Sequence, residues 1–214
     1  MENAIQLVFQ IAIVIFSVVI HEVSHGVAAL KLGDHTAEYE GRLTLNPLKH
    51  LDPFGSILVP IFSYALGGIV FGWAKPVPYN PYNLRNQKWG PAIVGMAGPL
   101  ANVLLAVVFG LTLRFLPLLE ESIPGMYFYN FMMIASAIAF LNLILAFFNL
   151  IPIPPLDGSK VLFSLLPYQW TGVRGFLEQY GFIIFLFFIF FFSGFLIWPA
   201  VYSFRLLTGM FPLL

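Results

Sequence analysis

The stretch His21-Glu22-Val23-Ser24-His25 places two imidazoles four residues apart, with a carboxylate directly after the first. In a helix, residues four apart share a face, so His21 and His25 can offer two nitrogens to one metal ion. Glu22 then lies beside a metal-bound water and can take its proton, which is the arrangement for metal-assisted hydrolysis. Two histidines do not complete a catalytic zinc site, where three protein ligands and an open position for water are usual. His35, His50 and the few carboxylates near apolar segments compete for the third place. Asp157 leads them. It closes Ile151-Pro152-Ile153-Pro154-Pro155-Leu156-Asp157, at the end of an apolar helix. Broken backbone at membrane depth is tolerated only beside protein or a cavity. An Asp before Gly after prolines also suits a helix cap or turn, and His35 and His50 read more simply as solvated or interfacial residues.

The elements that must position these residues are apolar. Hydrophobic residues make up 59% of the 214, charged residues only 9%, and Phe alone contributes 24. Soluble domains are charged at about a quarter of positions, so these values and a mean hydropathy of +0.87 describe a multi-pass membrane protein. Net charge is zero, which gives nucleic acid no electrostatic footing. The absence of cysteine removes thiolate ligands and disulfides and leaves His, Asp and Glu to hold a metal. The N-terminal run has no basic leader, and the histidines lie directly on the segment that cleavage would remove, so a signal peptide is not expected.

Spanning helices are expected over about 4–32, 90–116, 128–150 and 178–206, with a short helix over 157–166. The polar segment around Glu38 to Pro47 reads as short strands around a turn. The segment 73–81, with Pro76, Pro78 and Pro81, reads as extended or turning rather than helical. The apolar segment 53–72 is short and interrupted by Gly55, Pro60, Gly67 and Gly68. If it crossed the membrane, His25 and Asp157 would lie near opposite surfaces. If it enters and returns, they meet. The expected fold is therefore all-α, with about four spans, a re-entrant hairpin and a short β-like segment at the membrane face. The hairpin reading also puts Lys31, Arg42, Lys49, Lys75, Arg85, Lys88, Lys160 and Arg174 on one side, opposite a loop with Glu120 and Glu121. The positive-inside rule then turns the site toward the cytoplasm.

Three motifs together resemble the site-2 protease family of intramembrane zinc metalloproteases, in its compact bacterial and archaeal form without PDZ or CBS domains. They are His21 to His25, Gly98-Pro99-Leu100-Ala101-Asn102, and Asn149 to Gly158 with its prolines and Asp-Gly end. The similarity runs from about Ile15 to Leu165. It implies one Zn2+ per chain held by His21, His25 and Asp157, with Glu22 as general base and Asn149 helping to stabilise the oxyanion. It also implies transmembrane protein substrates in the lipid bilayer, and a single protease domain over 1–214 with a catalytic core of about 4–166. Asn102 reads equally as a packing anchor or a substrate contact, and Asn149 has an alternative as partner for carbonyls freed by Pro152. The rival reading is a non-catalytic membrane metal-binding protein or metal transporter. A transporter needs ionisable groups along a path through the bilayer, whereas here they cluster at one depth. Prenyl-protein endopeptidases also use the two-histidine motif, but want a downstream glutamate that the helices after His25 do not offer.

Overall fold

The computed structural model describes residues 2–59, 62, 74–118 and 124–212. Six α-helices carry it: α1 (Glu2–Lys31), α2 (Thr36–Tyr39), α3 (Gly90–Phe115), α4 (Gly125–Asn149), α5 (Gly158–Leu165) and α6 (Thr171–Thr208). Among the described residues, four stretches are long and apolar enough to cross a membrane: Val8–Lys31, Gly90–Leu118, Gly125–Asn149 and Tyr168–Phe192. The protein is thus an all-α multi-pass membrane protein. Every backbone group in a bilayer must be bonded internally, and helices achieve this within one segment.

Small residues allow close approach between α3, α4 and α6. Ala106, Ala135, Ala139 and Ala200 are buried with Leu113, Phe140, Leu143 and Phe204 in one cluster. Such residues let helices pack by van der Waals contact where no hydrophobic drive operates between them. Phe140 meets Phe204 edge-on at 5.8 Å between ring centroids. Higher along α6, Phe185 is buried against Ile151 and Leu156 and meets Phe148 at 5.8 Å. The proline-rich turn after α4 is therefore held against α6. The other phenylalanines around it, Phe182, Phe187, Phe190 and Phe191, are exposed and suit lipid.

No strand occurs among the described residues, which overturns the expected β-like segment. Where strands were expected, the chain makes the helical turn α2 and a 3-10 turn at Pro47–Lys49. Side chains outcompete a ladder here. The Asp34 carboxylate accepts from the Thr36 amide at 3.2 Å and its hydroxyl at 2.6 Å, which curls the chain into a turn. The buried Arg42 guanidinium donates to the Lys49 carbonyl, to Lys75 O at 2.9 Å and to Pro76 O at 3.1 Å. Those carbonyls are the acceptors a strand partner would need. His50 is also buried, not solvated, and its Nε2 donates to Thr44 O at 2.8 Å. Of the expected re-entrant hairpin, Pro53–Leu58 forms a π-helical turn capped by the Asp52 side chain, and most of the remainder lies outside the described residues.

Candidate metal centre

His21 and His25 stand one turn apart on α1, and α3 packs antiparallel against that face. Val94, Gly98 and Asn102 follow one another at four-residue intervals along α3, so they form one stripe. The Val94 carbonyl accepts from His25 Nδ1 at 2.6 Å, and Asn102 Oδ1 accepts from His21 Nδ1 at 2.5 Å. Gly98 sits between them. A Cβ there would fall 2.5 Å from His25 Nε2 and 2.6 Å from His21 Nε2, so only glycine lets the two helices approach so closely. With both Nδ1 atoms bonded to α3, each Nε2 lone pair faces the same space. Such outer partners are what fix the tautomer and orientation of metal-binding histidines.

Asp157 reaches that space from the far end of the chain. The turn after α4 folds back so tightly that a Cβ on Gly158 would lie 2.3 Å from Leu150 O, and this fold-back aims the neighbouring carboxylate inward. Asp157 Oδ2 lies 3.0 Å from both His21 Nε2 and His25 Nε2, and the two Nε2 atoms are themselves 3.0 Å apart. A tetrahedral zinc bound at about 2.0–2.1 Å separates its ligand atoms by about 3.3–3.4 Å. The three atoms thus nearly form one face of such a tetrahedron, and the donor set fits zinc. His21, Glu22 and His25 also place one ligand atom each within 4.8 Å of one another.

The neighbouring groups shape the chemistry. Lys160, one turn along α5, donates from Nζ to Asp157 Oδ1 at 2.8 Å, which leaves Oδ2 for the histidines. Its ammonium also lies 5.5 Å from the centroid of the Tyr79 ring. Glu22 is oriented by a backbone donor, since Val77 N–H donates to its Oε2 at 2.8 Å. Val77 belongs to the extended segment 74–80, which runs past the site as expected from its prolines. Arg42 holds this strap at Lys75 and Pro76, and Asp34 holds it at the Asn80 amide at 2.7 Å. A cavity of about 140 Å³ opens between strap and ligands, lined also by Asn149, Pro155 and Lys160. Asn149, the last residue of α4, donates from Nδ2 to Leu145 O at 2.9 Å, so its alternative partner is its own helix and not the Pro152 turn.

The structure therefore gathers His21, Glu22, His25, Asn149 and Asp157 around one cavity, while His35 pairs with Glu38 at the surface and His50 is bonded elsewhere. The contacts of Val94 and of the strap with the site were not readable beforehand, because each joins segments distant in sequence, while Lys160 lies only three residues from Asp157 and carried no motif of its own. Asn102 bonds α1 and α4, as a packing anchor does, and it does not line the cavity. It is fully buried and bonded to a histidine.

Comparison with known proteins agrees with this geometry. The model of peptidase family M50 matches residues 125–193, the stretch with α4, the Asp157 turn and the first part of α6. A Bacillus subtilis protein described as the putative zinc metalloprotease YwhC is 37% identical over 87% of this chain and 83% of its own length. The putative zinc metalloprotease MJ0611 of Methanocaldococcus jannaschii is 31% identical over 79% of this chain and 75% of its own. The putative zinc metalloprotease Rip2 of Mycolicibacterium smegmatis is 35% identical over 79% of this chain, which spans 62% of that relative. No solved structure matches.

Proposed function

The chain belongs to peptidase family M50, and from that premise we propose that it is a zinc metalloprotease cutting peptide bonds in or near transmembrane segments of other membrane proteins. The observation that carries this reading is the triangle of His21 Nε2, His25 Nε2 and Asp157 Oδ2, 3.0 Å on each side, with Glu22 beside it. His25 is six residues and His21 ten residues before the end of α1, about 9 and 15 Å along the helix. In a hydrocarbon core of about 30 Å, the site is reached from one face without crossing the bilayer.

His21, His25 and Asp157 would hold zinc, which would supply a water acidic enough to act near neutral pH and a Lewis acid for the scissile carbonyl. Glu22 takes the water proton on the oxygen not engaged by Val77 and delivers it to the leaving amine nitrogen. Asn149 bonds Leu145 through one amide hydrogen and has a second for the developing oxyanion. Lys160 holds Asp157 in its ligand orientation. A helical substrate hides its peptide bonds, so it must unwind locally before one can enter.

The active site opens toward the cytoplasm in this proposal. Eight basic residues, Lys31, Arg42, Lys49, Lys75, Arg85, Lys88, Lys160 and Arg174, belong to the site's end of the bundle. Arg114 and Arg205 lie at the other end, where Arg114 donates to Leu206 O at 3.0 Å. The asymmetry favours the site's end as the inner one. Residues 1–214 act as one protease domain with a core of about 4–166.

The test compares wild type with Glu22→Gln on a detergent-solubilised transmembrane substrate, recording zinc content for both. Retained zinc with cleavage reduced by about 10²–10⁴ is expected, the usual contribution of a general base. Unchanged cleavage would remove Glu22 from the reaction. A metal transporter would keep its transport with Gln at this position.

A further inference from the structure

Three buried polar side chains, one each on α1, α3 and α4, form a chain of hydrogen bonds that ends at His21. Asn102 Nδ2 donates to Asn142 Oδ1 on α4 at 2.6 Å and to Ser17 O on α1 at 3.4 Å. Asn142 Nδ2 donates in turn to Ile138 O at 2.8 Å and to Ser17 Oγ at 2.9 Å. Asn102 and Asn142 are fully buried, Ser17 is 3% exposed, and none of the three lines the cavity beside the histidines. An asparagine placed between hydrophobic spans is costly unless all its groups are bonded. Here the bonds are made, and they point one way.

The direction follows from a single fixed acceptor. A backbone carbonyl can only accept, so Ile138 O must face the amino side of the Asn142 amide. That leaves Asn142 Oδ1 turned toward α3. An oxygen there can only accept, so Asn102 presents its amino group to it, and the Ser17 carbonyl favours the same choice. Asn102 Oδ1 is then turned toward His21, and an oxygen facing Nδ1 at 2.5 Å requires the proton to sit on Nδ1. Nε2, the atom of the donor triangle, is thereby the nitrogen left for a metal and for Asp157 Oδ2, which it faces at 3.0 Å. If Asn102 were reversed, its oxygen would face two acceptors and its amino group would face Nδ1. The imidazole would then have to put its proton on Nε2, where it blocks a metal.

We propose that Asn142 and Ser17 are positioning residues for the metal centre: through Asn102 they hold the His21 proton on Nδ1 and so reserve Nε2 for the metal. The inference rests on the zinc reading above for its purpose, but not for its geometry. A metal-binding histidine held in its tautomer by a bonded partner gains affinity, and loss of such a partner weakens metal binding by about 10–100-fold.

The test uses full-length protein in detergent with Asn142→Leu and Ser17→Ala. Zinc affinity is measured by competition with a fluorescent chelator, and the nitrogen shifts of labelled histidine are recorded in the metal-free protein. Wild type is expected to show a proton fixed on His21 Nδ1. Asn142→Leu is expected to show a mixture of tautomers and zinc binding weaker by about 10–100-fold. Ser17→Ala, which keeps Ile138 as anchor, is expected to lie between. A variant that merely loosens packing would lower the melting temperature of the metal-free protein and leave the tautomer alone. A single Nδ1–H tautomer with wild-type zinc affinity in both variants overturns the proposal. If Asn142→Leu does not fold, the tautomer in Ser17→Ala decides. If wild type binds no zinc, the zinc reading fails, and the histidine spectra still decide whether the amide chain sets the tautomer.

Discussion

Gly98 is the residue on which the metal centre is most finely balanced. Its missing Cβ is the space in which two imidazoles face one point, and a methyl group at 2.5–2.6 Å from both Nε2 atoms must displace one of them. Gly98→Ala is expected to leave the helices formed, since alanine favours helix, while zinc content measured by elemental analysis falls well below one per chain. Retention of a full equivalent would show that α1 and α3 can separate without losing the site. Lys160→Met removes the ammonium from Asp157 Oδ1 and frees the carboxylate to rotate. Its expected signature is weaker zinc binding by about 10-fold, the lower end for loss of an outer partner, read by chelator competition. Lys160→Arg is expected to recover part of the affinity.

At the scale of elements, the strap 74–80 and the helical turn α2 depend on Asp34 and Arg42. Asp34 is fully buried and accepts from Thr36, Asn80 and Asn83, with Asn83 Nδ2 at 2.9 Å. Burial pushes its carboxyl upward, but the bonds from Thr36, Asn83 and Asn80 outweigh this and hold it below its ordinary value. A lowered native value means the stabilisation is present above the unfolded pKa of about 3.9 and is lost as pH falls through the native one. Asp34→Asn is therefore expected to cost about 1–3 kcal/mol at neutral pH, with the gap in melting temperature from wild type closing below about pH 4. A gap that stays constant with pH would separate the role of Asp34 from its charge. The same elements show where sequence reading reaches its limit. The spans, the start of α5 and the extended strap were legible because apolar runs and prolines act locally. The segment after Asp34 was misread as strand because its conformation is decided by Arg42 reaching carbonyls up to 34 residues away. The ligand motifs were legible for the opposite reason: His21 and His25 are fixed by helical spacing alone, and the proline run marks Asp157. Asn102 and Asn142 gave no such signal, since an asparagine in a span reads the same whether it packs or orients.

Across the whole molecule, the proposed ligands join α1 to the α4–α5 turn, while α3 lies between and bonds both histidines. Zinc bound only by the folded arrangement must stabilise it by mass action. Removal of zinc with a chelator is expected to lower the melting temperature of the detergent-solubilised protein, and the drop is expected to shrink in Asp157→Ala. Equal drops in both would place the metal elsewhere. Orientation is tested on the same scale: alkaline phosphatase inserted in the loop between α3 and α4 is expected to be active, and the same reporter between Lys75 and Lys88 inactive. The reverse pattern would turn the site to the outside.

His21 and Asp157 are separated by 136 positions in sequence. During synthesis at about 5–20 residues per second, the histidine pair exists for on the order of ten seconds before its carboxylate partner has been made. In that interval the nascent chain has the first span of a protease but neither the third ligand nor the turn that closes the cavity. On the proposed ligand set, the growing chain cannot assemble a hydrolytic centre until the α4–α5 turn has been made and docked.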